Sequence, residues 1–468
     1  MEEKGEHVQL QAVSDTDSPV LPPALARNSD QPEDDDYDPH LHRQLANPTN
    51  NLETLVHLLK CSLGTGILAM PQAFARAGLI PGILGTVIGG LLVTHCLRVL
   101  VRAQYAVCRS RRVPQLPYPE AAAAALQQGP RVLAGLARPA ALTVDLFLVV
   151  YQLGICCVYI VFIADNLKKV IDPVLEVSVE MHMLFILLPL IAFNLIPNLK
   201  ILAPFSALAN VLIFVGIGIT VYFLLSGEKS SKPLDLWGSP HTFPLFFGTI
   251  LFALTAVGVV IAVENNMKTP KSFVQTCGVL DIAMLLIVLL YVALGVLGYL
   301  FCVSDCSDSI TLDLPKGPLS ASVIVMFAVA IFISYGLHCY VPVEVVWRGY
   351  LLPRLEKASV SPSRTRLAEY GLRVALCLLT FVLAVSIPRL GLFISLFGAL
   401  CLSALGICFP ALMEACLWWG RRGTGSRVVY LVLLKDVALG AIGMLALVAG
   451  TYTALTSIVR SFAPQQTE

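Results

Sequence analysis

The sequence predicts an all-α polytopic membrane protein with eleven transmembrane helices. Three observations carry this prediction. Hydrophobic residues make up 56% of the 468 residues, charged residues only 13%, and the mean hydropathy is +0.77, whereas a soluble domain is nearer half apolar and a quarter charged. From Leu52 onward, apolar runs long enough to cross a bilayer alternate with short polar breaks. The loops also alternate between rich and poor in lysine and arginine, which is typical of a chain with a fixed orientation in the membrane.

The apolar runs define spans 1 to 11 in chain order. Between spans 4 and 5 the only interruption is the segment 196–200, with the sequence IPNLK. A single helix over both spans would overshoot any bilayer, so the segment predicts a tight turn rather than one long kinked helix. The predicted limits are 52–79, 82–107, 140–167, 183–199, 201–226, 242–266, 275–302, 319–347, 368–388, 390–415 and 429–458.

The charge of the loops predicts the orientation. Loops after even-numbered spans hold more than twice as many lysine and arginine residues as the opposite loops and the C-terminus together. Cytoplasmic loops carry this excess, so we expect the N-terminus in the cytoplasm. Residues 1–50 are polar, with acidic patches and several prolines, and predict a disordered cytoplasmic tail rather than a signal peptide. Residues 51–459 form the predicted membrane domain, and residues 460–468 a short extracytoplasmic C-terminus.

Overall charge and motif content exclude several classes of function. With 32 basic and 31 acidic residues the net charge is +1, which gives a nucleic-acid partner no electrostatic support. The sequence has no P-loop, no H-E-x-x-H, no paired C-x-x-C and no G-x-S-x-G between a strand and a helix. We therefore expect no enzymatic activity, no cofactor and no metal site. Any transport must be passive or driven by an ion gradient.

Two features of the loops leave alternatives open. The alanine-rich stretch 119–126 predicts a short helix, either at the cytoplasmic membrane surface or as a plain linker. Most of the 13 cysteines lie in apolar stretches, where a thiol packs as a small hydrophobe. Cys302 and Cys306 flank a polar loop instead, and they could form a local disulfide if that loop is extracytoplasmic.

Spans 1 and 6 contain polar and glycine residues near the middle of the membrane. Span 1 has CSLGTGI at 61–67, and span 6 has FALTAVGV at 252–259. Glycine alone often serves close helix packing, but paired interruptions in corresponding spans of two five-span halves indicate a transport site. Amide groups around Gly64, Thr65 and Gly66 suit a carboxylate, and free carbonyl groups in span 6 suit an ammonium group. That combination indicates an amino acid.

Ionisable residues inside spans are costly and need an explanation. His57 lies before the break in span 1, where it could carry a proton or be a satisfied histidine bonded to a neighbouring helix. Glu264 and Glu344 lie near the cytoplasmic ends of their spans, and we expect helix-end salt bridges for both, with an inner gate as the alternative.

The residues around these positions resemble the proton-coupled amino acid transporters, a branch of the amino acid/auxin permease group. The match runs from Leu55 to about Glu414. It implies a LeuT-like fold of two inverted five-helix repeats plus one extra helix, symport of protons with small neutral amino acids, and a link between His57 and the proton. The matching segments are HLLK (57–60), LGTGIL (63–68), MP (70–71), DLFL (145–148), QLGICCVY (152–159), ADN (164–166), FGT (247–249), GVV (258–260), ENNMKTP (264–270), SITLDLP (309–315), YVPVE (340–344) and IS (394–395) with Gly398.

This chain departs from the family pattern at several positions. Cys61 and Ser62 stand where members commonly have Gly-Asn, Thr255 stands in place of a glutamate in span 6, and Gly391 replaces an acidic residue. The loops also lack the paired cysteines that match the vertebrate family's extracellular disulfide, and no allowed N-x-S/T sequon occurs. These changes indicate a divergent branch.

The sequence thus predicts a secondary amino acid transporter that works by alternating access in the plasma membrane or an endolysosomal membrane. Its partners would be a small neutral amino acid, a proton and the lipid bilayer. The alternatives are an amino acid sensor with little net transport and a proton-independent facilitative transporter. A proton-coupling role is assigned to His57. The expected substrate-binding residues are Ser62, Leu63, Gly64, Thr65, Gly66, Tyr159, Phe252, Ala253, Leu254 and Thr255.

Overall fold

The computed structural model describes residues 37–43, 45, 48–173, 175–196, 199–227, 232–255, 257–387, 389–420 and 426–462. The described chain is a bundle of helices, numbered α1 to α18 in order. They are Asn51–Ser62, Thr65–Leu68, Met70–Ala77, Leu79–Arg111, Tyr118–Gln127, Arg131–Gly135, Ala137–Ile171, Val179–Asn194, Leu199–Ser226, Phe243–Leu254, Val257–Asn265, Val279–Cys302, Pro318–Val346, Leu352–Lys357, Pro362–Ser386, Leu390–Phe397, Phe409–Trp419 and Arg427–Phe462.

These helices reproduce the predicted order of spans. By length and apolar composition, nine helical segments of the described chain can cross a membrane: α4, α7, α9, α10 with α11, α12, α13 with α14, α15, α16 with α17, and α18. The remaining two predicted spans are α1 to α3, which is interrupted, and α8, an apolar helix of 16 residues. The chain is therefore an all-α polytopic membrane protein, while the count of eleven crossings stays a prediction. α8 ends at Asn194 and α9 starts at Leu199, which agrees with the expected break between spans 4 and 5.

The core lies where α7 and α13 pack against each other near the centre of the bundle. Side chains of α7 from Ile155 to Ala164 are almost completely buried, because α13, α15 and α16 surround this helix. By contrast, α18 exposes a long row of leucine, valine and aromatic side chains at the outside of the bundle. An apolar outer surface is what a helix in contact with lipid requires.

The two ends of the bundle can be told apart by their hydrogen bonds. We call the end at which α1 begins the N-terminal face and the other end the opposite face. At the N-terminal face, Thr49 N–H donates to the Asn266 carbonyl across 2.8 Å, and Lys268 N–H donates to the Thr49 carbonyl across 2.9 Å. At the opposite face, Gly238 N–H donates to the Ala77 carbonyl across 2.8 Å. The start of span 1 therefore lies beside the end of span 6, and the end of span 1 lies beside the start of span 6.

The structure describes a short part of the predicted N-terminal tail. Residues 1–36 lie outside the described residues, as do residues 463–468 of the predicted C-terminus. Pro39–His42 nevertheless form a 3₁₀ turn capped by the Asp38 side chain, and Arg43 contacts α11. The contacts of Arg43 are made by charged groups. The tail limit at residue 50 stays a prediction.

Two loop predictions can also be compared with the structure. The alanine-rich stretch forms α5, as predicted, and this helix packs against other helices of the bundle. Its residues Ala121 to Leu126 are buried against α7 and α17, and Tyr118 Oη donates to the Leu405 carbonyl across 2.7 Å. Small alanine side chains allow this close packing. Cys302 and Cys306, for which a disulfide was one of two possibilities, are disulfide-bonded.

Candidate functional site

Span 1 is broken between α1 and α2. Asn50 and Glu53 form a capping box that fixes the start of α1, and the helix ends at Ser62. Leu63 and Gly64 then leave helical geometry, with Gly64 at φ −137° and ψ −150°. Gly66 follows at a very close helix crossing, where a Cβ atom would lie 2.9 Å from Cα of Ala253. Only glycine allows this approach, so the predicted interruption has a steric reason.

Span 6 is broken at the corresponding level. α10 ends at Leu254, Thr255 is extended at φ −98° and ψ 102°, and α11 begins at Val257. Thr255 packs closely against span 10, because a Cβ atom on Gly406 would lie 2.8 Å from the Thr255 Cγ2 atom. Both breaks leave backbone carbonyl groups without helical partners inside the bundle. Such groups need other partners, because hydrocarbon offers none.

A cavity of about 70 Å³ lies between the two breaks. This volume is several times the roughly 10–15 Å³ that one water requires, and it suits a compact solute. The lining combines backbone and hydroxyl groups of the breaks with aromatic side chains of α7. The lining residues are Cys61, Ser62, Gly64, Thr65, Gly66, Tyr151, Gln152, Ile155, Tyr159, Phe252, Ala253, Thr255, Gly258, Val259 and His338.

The two threonine hydroxyl groups at the breaks lack a hydrogen-bond partner among the described residues. Thr65 is 2% exposed and Thr255 is 3% exposed, and the described residues offer no hydrogen bond to either Oγ1 atom. A buried hydroxyl without a partner costs free energy. Both atoms belong to residues that line the same cavity. The cavity is thus prepared for a polar molecule that supplies the missing hydrogen bonds.

Tyr291 of α12 connects the breaks. Its hydroxyl group donates to the Ala253 carbonyl across 3.1 Å and lies close to the Ser62 carbonyl as well. These are carbonyls at the ends of α10 and α1, and Tyr291 is completely buried. Sequence reasoning missed this residue, because nothing in an apolar span indicates which tyrosine faces two broken helices.

His338 of α13 also lines the cavity. Its Nδ1 atom lies 2.7 Å from Oε1 of Gln152, and its ring meets the ring of Tyr159 edge-on with centroids 5.4 Å apart. Sequence reasoning overlooked His338, although an ionisable residue in the middle of span 8 was a detectable signal.

The structure brings most of the predicted binding residues together. Ser62, Gly64, Thr65, Gly66, Tyr159, Phe252, Ala253 and Thr255 all line the cavity. Leu63 and Leu254 are buried but do not line it, because their side chains belong to the hydrophobic core. His57 does not line the cavity either, and its side chain is exposed.

A charged cluster covers the end of α11 at the N-terminal face. Arg43 binds both carboxylate oxygens of Glu264, each across 3.1 Å, and His40 lies 3.4 Å from the same carboxylate. Asp38 pairs with Lys271 across 2.8 Å. Burial opposes ionisation of Asp38, but hydrogen bonds from Lys271 and from the backbone of His40 outweigh it and lower the Asp38 pKa. Glu264 thus makes the helix-end ion pair that the sequence predicts.

Other ion pairs also form, including the helix-end salt bridge expected of Glu344. Glu344 binds Arg348 one helical turn later. Asp281 pairs with Arg98, and Glu414 pairs with Lys435.

The opposite face contains a second polar cluster. Arg76 at the end of α3 donates to Ser395 Oγ across 3.1 Å and to the Gly391 carbonyl across 3.4 Å. Asp308 accepts from Gly391 N–H across 2.9 Å and also binds Gln72. Spans 1 and 10 are therefore joined above the cavity by charged and amide groups. The sequence alone did not indicate this cluster.

Comparisons with known proteins agree with this architecture. Residues 47–456 match the family model described as transmembrane amino acid transporter protein. The chain is 39% identical over 432 residues to the proton-coupled amino acid transporter-like protein pathetic of Drosophila melanogaster. The aligned region covers 91% of this chain and 89% of that protein. It is 25% identical to the probable amino acid transporter skat-1 of Caenorhabditis elegans, over 86% of this chain and 89% of that one.

A solved structure of Mhp1 in an inward-facing conformation shares the fold. It superposes with a TM-score of 0.54 at 11% identity, covering 90% of this chain and 92% of Mhp1. The predicted LeuT-like architecture is thereby confirmed. The relatives are named as transporters, not enzymes. This chain belongs to the transmembrane amino acid transporter family.

Proposed function

We propose that this protein is a secondary active transporter that carries small neutral amino acids together with protons by alternating access. The observation that carries the proposal is the pair of unpartnered hydroxyl groups, Thr65 and Thr255, at the two helix breaks around one cavity. Paired breaks in corresponding spans are the usual location of a transported substrate. Membership in an amino acid transporter family supports the same substrate class.

The lining chemistry favours a zwitterion without a charged side chain. No aspartate, glutamate, lysine or arginine occurs among the described residues that line the cavity, so a cationic or anionic side chain would be buried without a partner there. The substrate carboxylate would bind near the amide groups that follow Gly64. The ammonium group would bind the Ala253 carbonyl oxygen. This oxygen keeps a second lone pair beside the one that accepts from Tyr291.

The cavity volume of about 70 Å³ favours a small side chain. Phe252 and Tyr151 contact each other edge-on, with ring centroids 6.2 Å apart, and both line the cavity. Together with Tyr159 they limit the space beside the breaks. Branched or aromatic amino acids would require these rings to move.

Access from each side would alternate between the two polar clusters. The Arg76 cluster closes the opposite face and the Arg43 cluster covers the N-terminal face. The excess of basic residues in the loops of the N-terminal face supports a cytoplasmic location for that face. The proton-coupling role assigned to His57 by the family resemblance stays a prediction, since this side chain lies outside the cavity.

Uptake into reconstituted vesicles tests the function. Purified protein in liposomes is given each of the proteinogenic amino acids in radiolabelled form, with and without an inward pH gradient. Accumulation of small neutral amino acids that requires the gradient supports the proposal. Uptake that does not depend on the gradient would show facilitative transport. Binding without uptake would show a sensor. Either result overturns proton-coupled symport.

A further inference from the structure

A second cavity, of about 720 Å³, lies at the opposite face beside the Arg76 cluster. We call it the outer cavity, and we call the cavity between the helix breaks the central cavity. Gln72 and Asp308 of the Arg76 cluster also line the outer cavity. On α7, Asp165 of the outer cavity follows Tyr159 of the central cavity by six residues, which is about 9 Å along a helix axis. The outer cavity is therefore a separate space between the central cavity and the opposite face.

The outer cavity is lined by equal numbers of acidic and basic side chains. They are Asp165, Asp172, Asp308, Lys168, Lys169 and Arg389. Because the two signs balance, the lining has no net formal charge. Such a lining favours a neutral ligand over an anion or a cation of similar size, and a zwitterion is the neutral ligand that can use charges of both signs.

Four of these six side chains already have partners. Lys168 binds Asp172 across 2.7 Å. Lys169 donates to three carbonyl groups within the loop segment 311–314. Asp308 accepts from the backbone of Gly391. These contacts fix the walls of the outer cavity, so two charged side chains are left to meet a ligand.

The two remaining side chains are Asp165 of α7 and Arg389, directly before α16. Neither forms a hydrogen bond or an ion pair through its side chain with any described residue, although the two charges lie close enough to interact electrostatically. A guanidinium group offers several N–H donors in a geometry that matches a carboxylate, and a carboxylate accepts from an ammonium group. One unpaired cation and one unpaired anion thus complement the two charged groups of an amino acid.

We propose that Asp165 and Arg389 form a second binding site for the transported amino acid, on the way to the central cavity. This inference rests on the proposed function. Arg389 binds the carboxylate of the amino acid, and Asp165 binds its ammonium group. No covalent bond changes.

The two cavities would then select for different properties of the substrate. The outer cavity, of about 720 Å³, has room for side chains of many sizes and recognises the charged groups that all amino acids share. The central cavity, of about 70 Å³, accepts only those with a small side chain. Charge is therefore tested before size when a substrate enters from the opposite face.

Equilibrium binding of radiolabelled alanine to the purified full chain in detergent micelles tests the proposal. We expect two bound alanine molecules per wild-type protein. Arg389→Gln and Asp165→Asn should each retain one, because losing a charged contact raises the Kd of the outer site by about ten-fold or more. Arg460→Gln is the matched control and should bind two, since Arg460 is an exposed arginine near the end of α18 and lines neither cavity.

Two further variants keep the test informative if one of these proteins does not fold. Gly66→Ala distorts the central cavity, so it should keep the alanine of the outer site, and Arg389→Gln in the same chain should remove it. Arg389→Lys keeps the positive charge and should weaken the outer site less than Arg389→Gln does. Melting temperatures confirm that each variant is folded.

The outcomes separate the outer site from the proposed function. A single alanine per wild-type protein overturns the outer site and leaves the proposed function intact. Two alanine molecules per protein in both Arg389→Gln and Asp165→Asn also overturn the outer site. If the wild type binds no alanine at all, the proposed function is contradicted as well.

Discussion

The hydroxyl group of Tyr291 donates to the carbonyl oxygen of Ala253 across 3.1 Å, at the point where α10 ends. The same hydroxyl lies against the Ser62 carbonyl at the end of α1. One side chain of α12 thus stabilises both interrupted helices beside the cavity. Because the group has a single proton, it can satisfy only one of the two carbonyls fully at a time.

Tyr291→Phe removes this connection without changing the shape of the side chain. The hydrogen bond that one of the two buried carbonyl groups receives is lost, which should lower the free energy of unfolding by about 1–3 kcal/mol. Thermal unfolding in detergent micelles measures the change. Tyr222→Phe is the control, since Tyr222 is 60% exposed on α9 and should leave the melting temperature unaltered. Equal melting temperatures for Tyr291→Phe and the wild type would contradict the structural role.

Gly66→Ala should abolish uptake while the protein still inserts in the membrane. The added Cβ would lie 2.9 Å from Cα of Ala253, so α2 and α10 must separate and the cavity changes shape. Gly218→Ala in α9 is the matched control, because a Cβ there meets nothing within 4 Å. Initial uptake rates and surface quantity are measured for both variants. Normal uptake by correctly inserted Gly66→Ala would refute the close crossing as part of the transport site.

Thr255→Val should change stability and binding in opposite directions. Valine has nearly the same shape and removes an unpartnered buried hydroxyl, so the empty protein should be as stable as the wild type or more stable. Substrate loses one hydrogen bond of about 1 kcal/mol, which raises KM by about five-fold. Thr220→Val is the control, because its hydroxyl bonds Gly216 in α9, outside the cavity. An unchanged KM in Thr255→Val would exclude this hydroxyl from substrate binding.

Arg43 and Glu264 should show strong coupling in a double-mutant cycle. Their side chains are only 6% and 4% exposed, and removal of one partner leaves the other charge buried at a cost of about 3–5 kcal/mol. The losses of stability in Arg43→Gln and Glu264→Gln should therefore sum to much more than the loss in the double variant. Melting temperatures of the four proteins measure the coupling. Strictly additive losses would indicate that the contact is energetically irrelevant.

Much of this architecture follows from the apolar runs of the sequence and from the polar and glycine residues that interrupt them. The breaks at Gly64 and Thr255 were predictable, because glycine and hydroxyl residues interrupt otherwise apolar helices. Helix limits shifted by several residues where polar ends continue the helix, as in α4, which runs on to Arg111. Hydropathy identifies the membrane-embedded part of a helix but not its continuation into solvent.

The facing spans of the site were harder to predict. Tyr291 reaches the two broken helix ends only because α12 presents one particular side to them, and an evenly apolar helix contains no signal for that rotation. Leu63 and Leu254 fail as lining residues for the same reason, since backbone geometry at each break decides which side chain turns inward. His57 was assigned through family resemblance, which identifies a residue but not its surroundings.

The backbone pairing of Thr49 with Asn266 and Lys268 joins the start of α1 to the end of α11. Any motion that parts the start of α1 from the end of α11 must break two inter-segment hydrogen bonds of 2.8 and 2.9 Å, in addition to the buried Arg43 ion pair. The opposite face has backbone pairing as well, since Gly238 N–H donates to the Ala77 carbonyl across 2.8 Å and Leu79 N–H donates to the Asp235 carbonyl across 3.1 Å. Parting spans 1 and 6 at either face therefore begins with the breaking of backbone hydrogen bonds, and not of side-chain contacts alone.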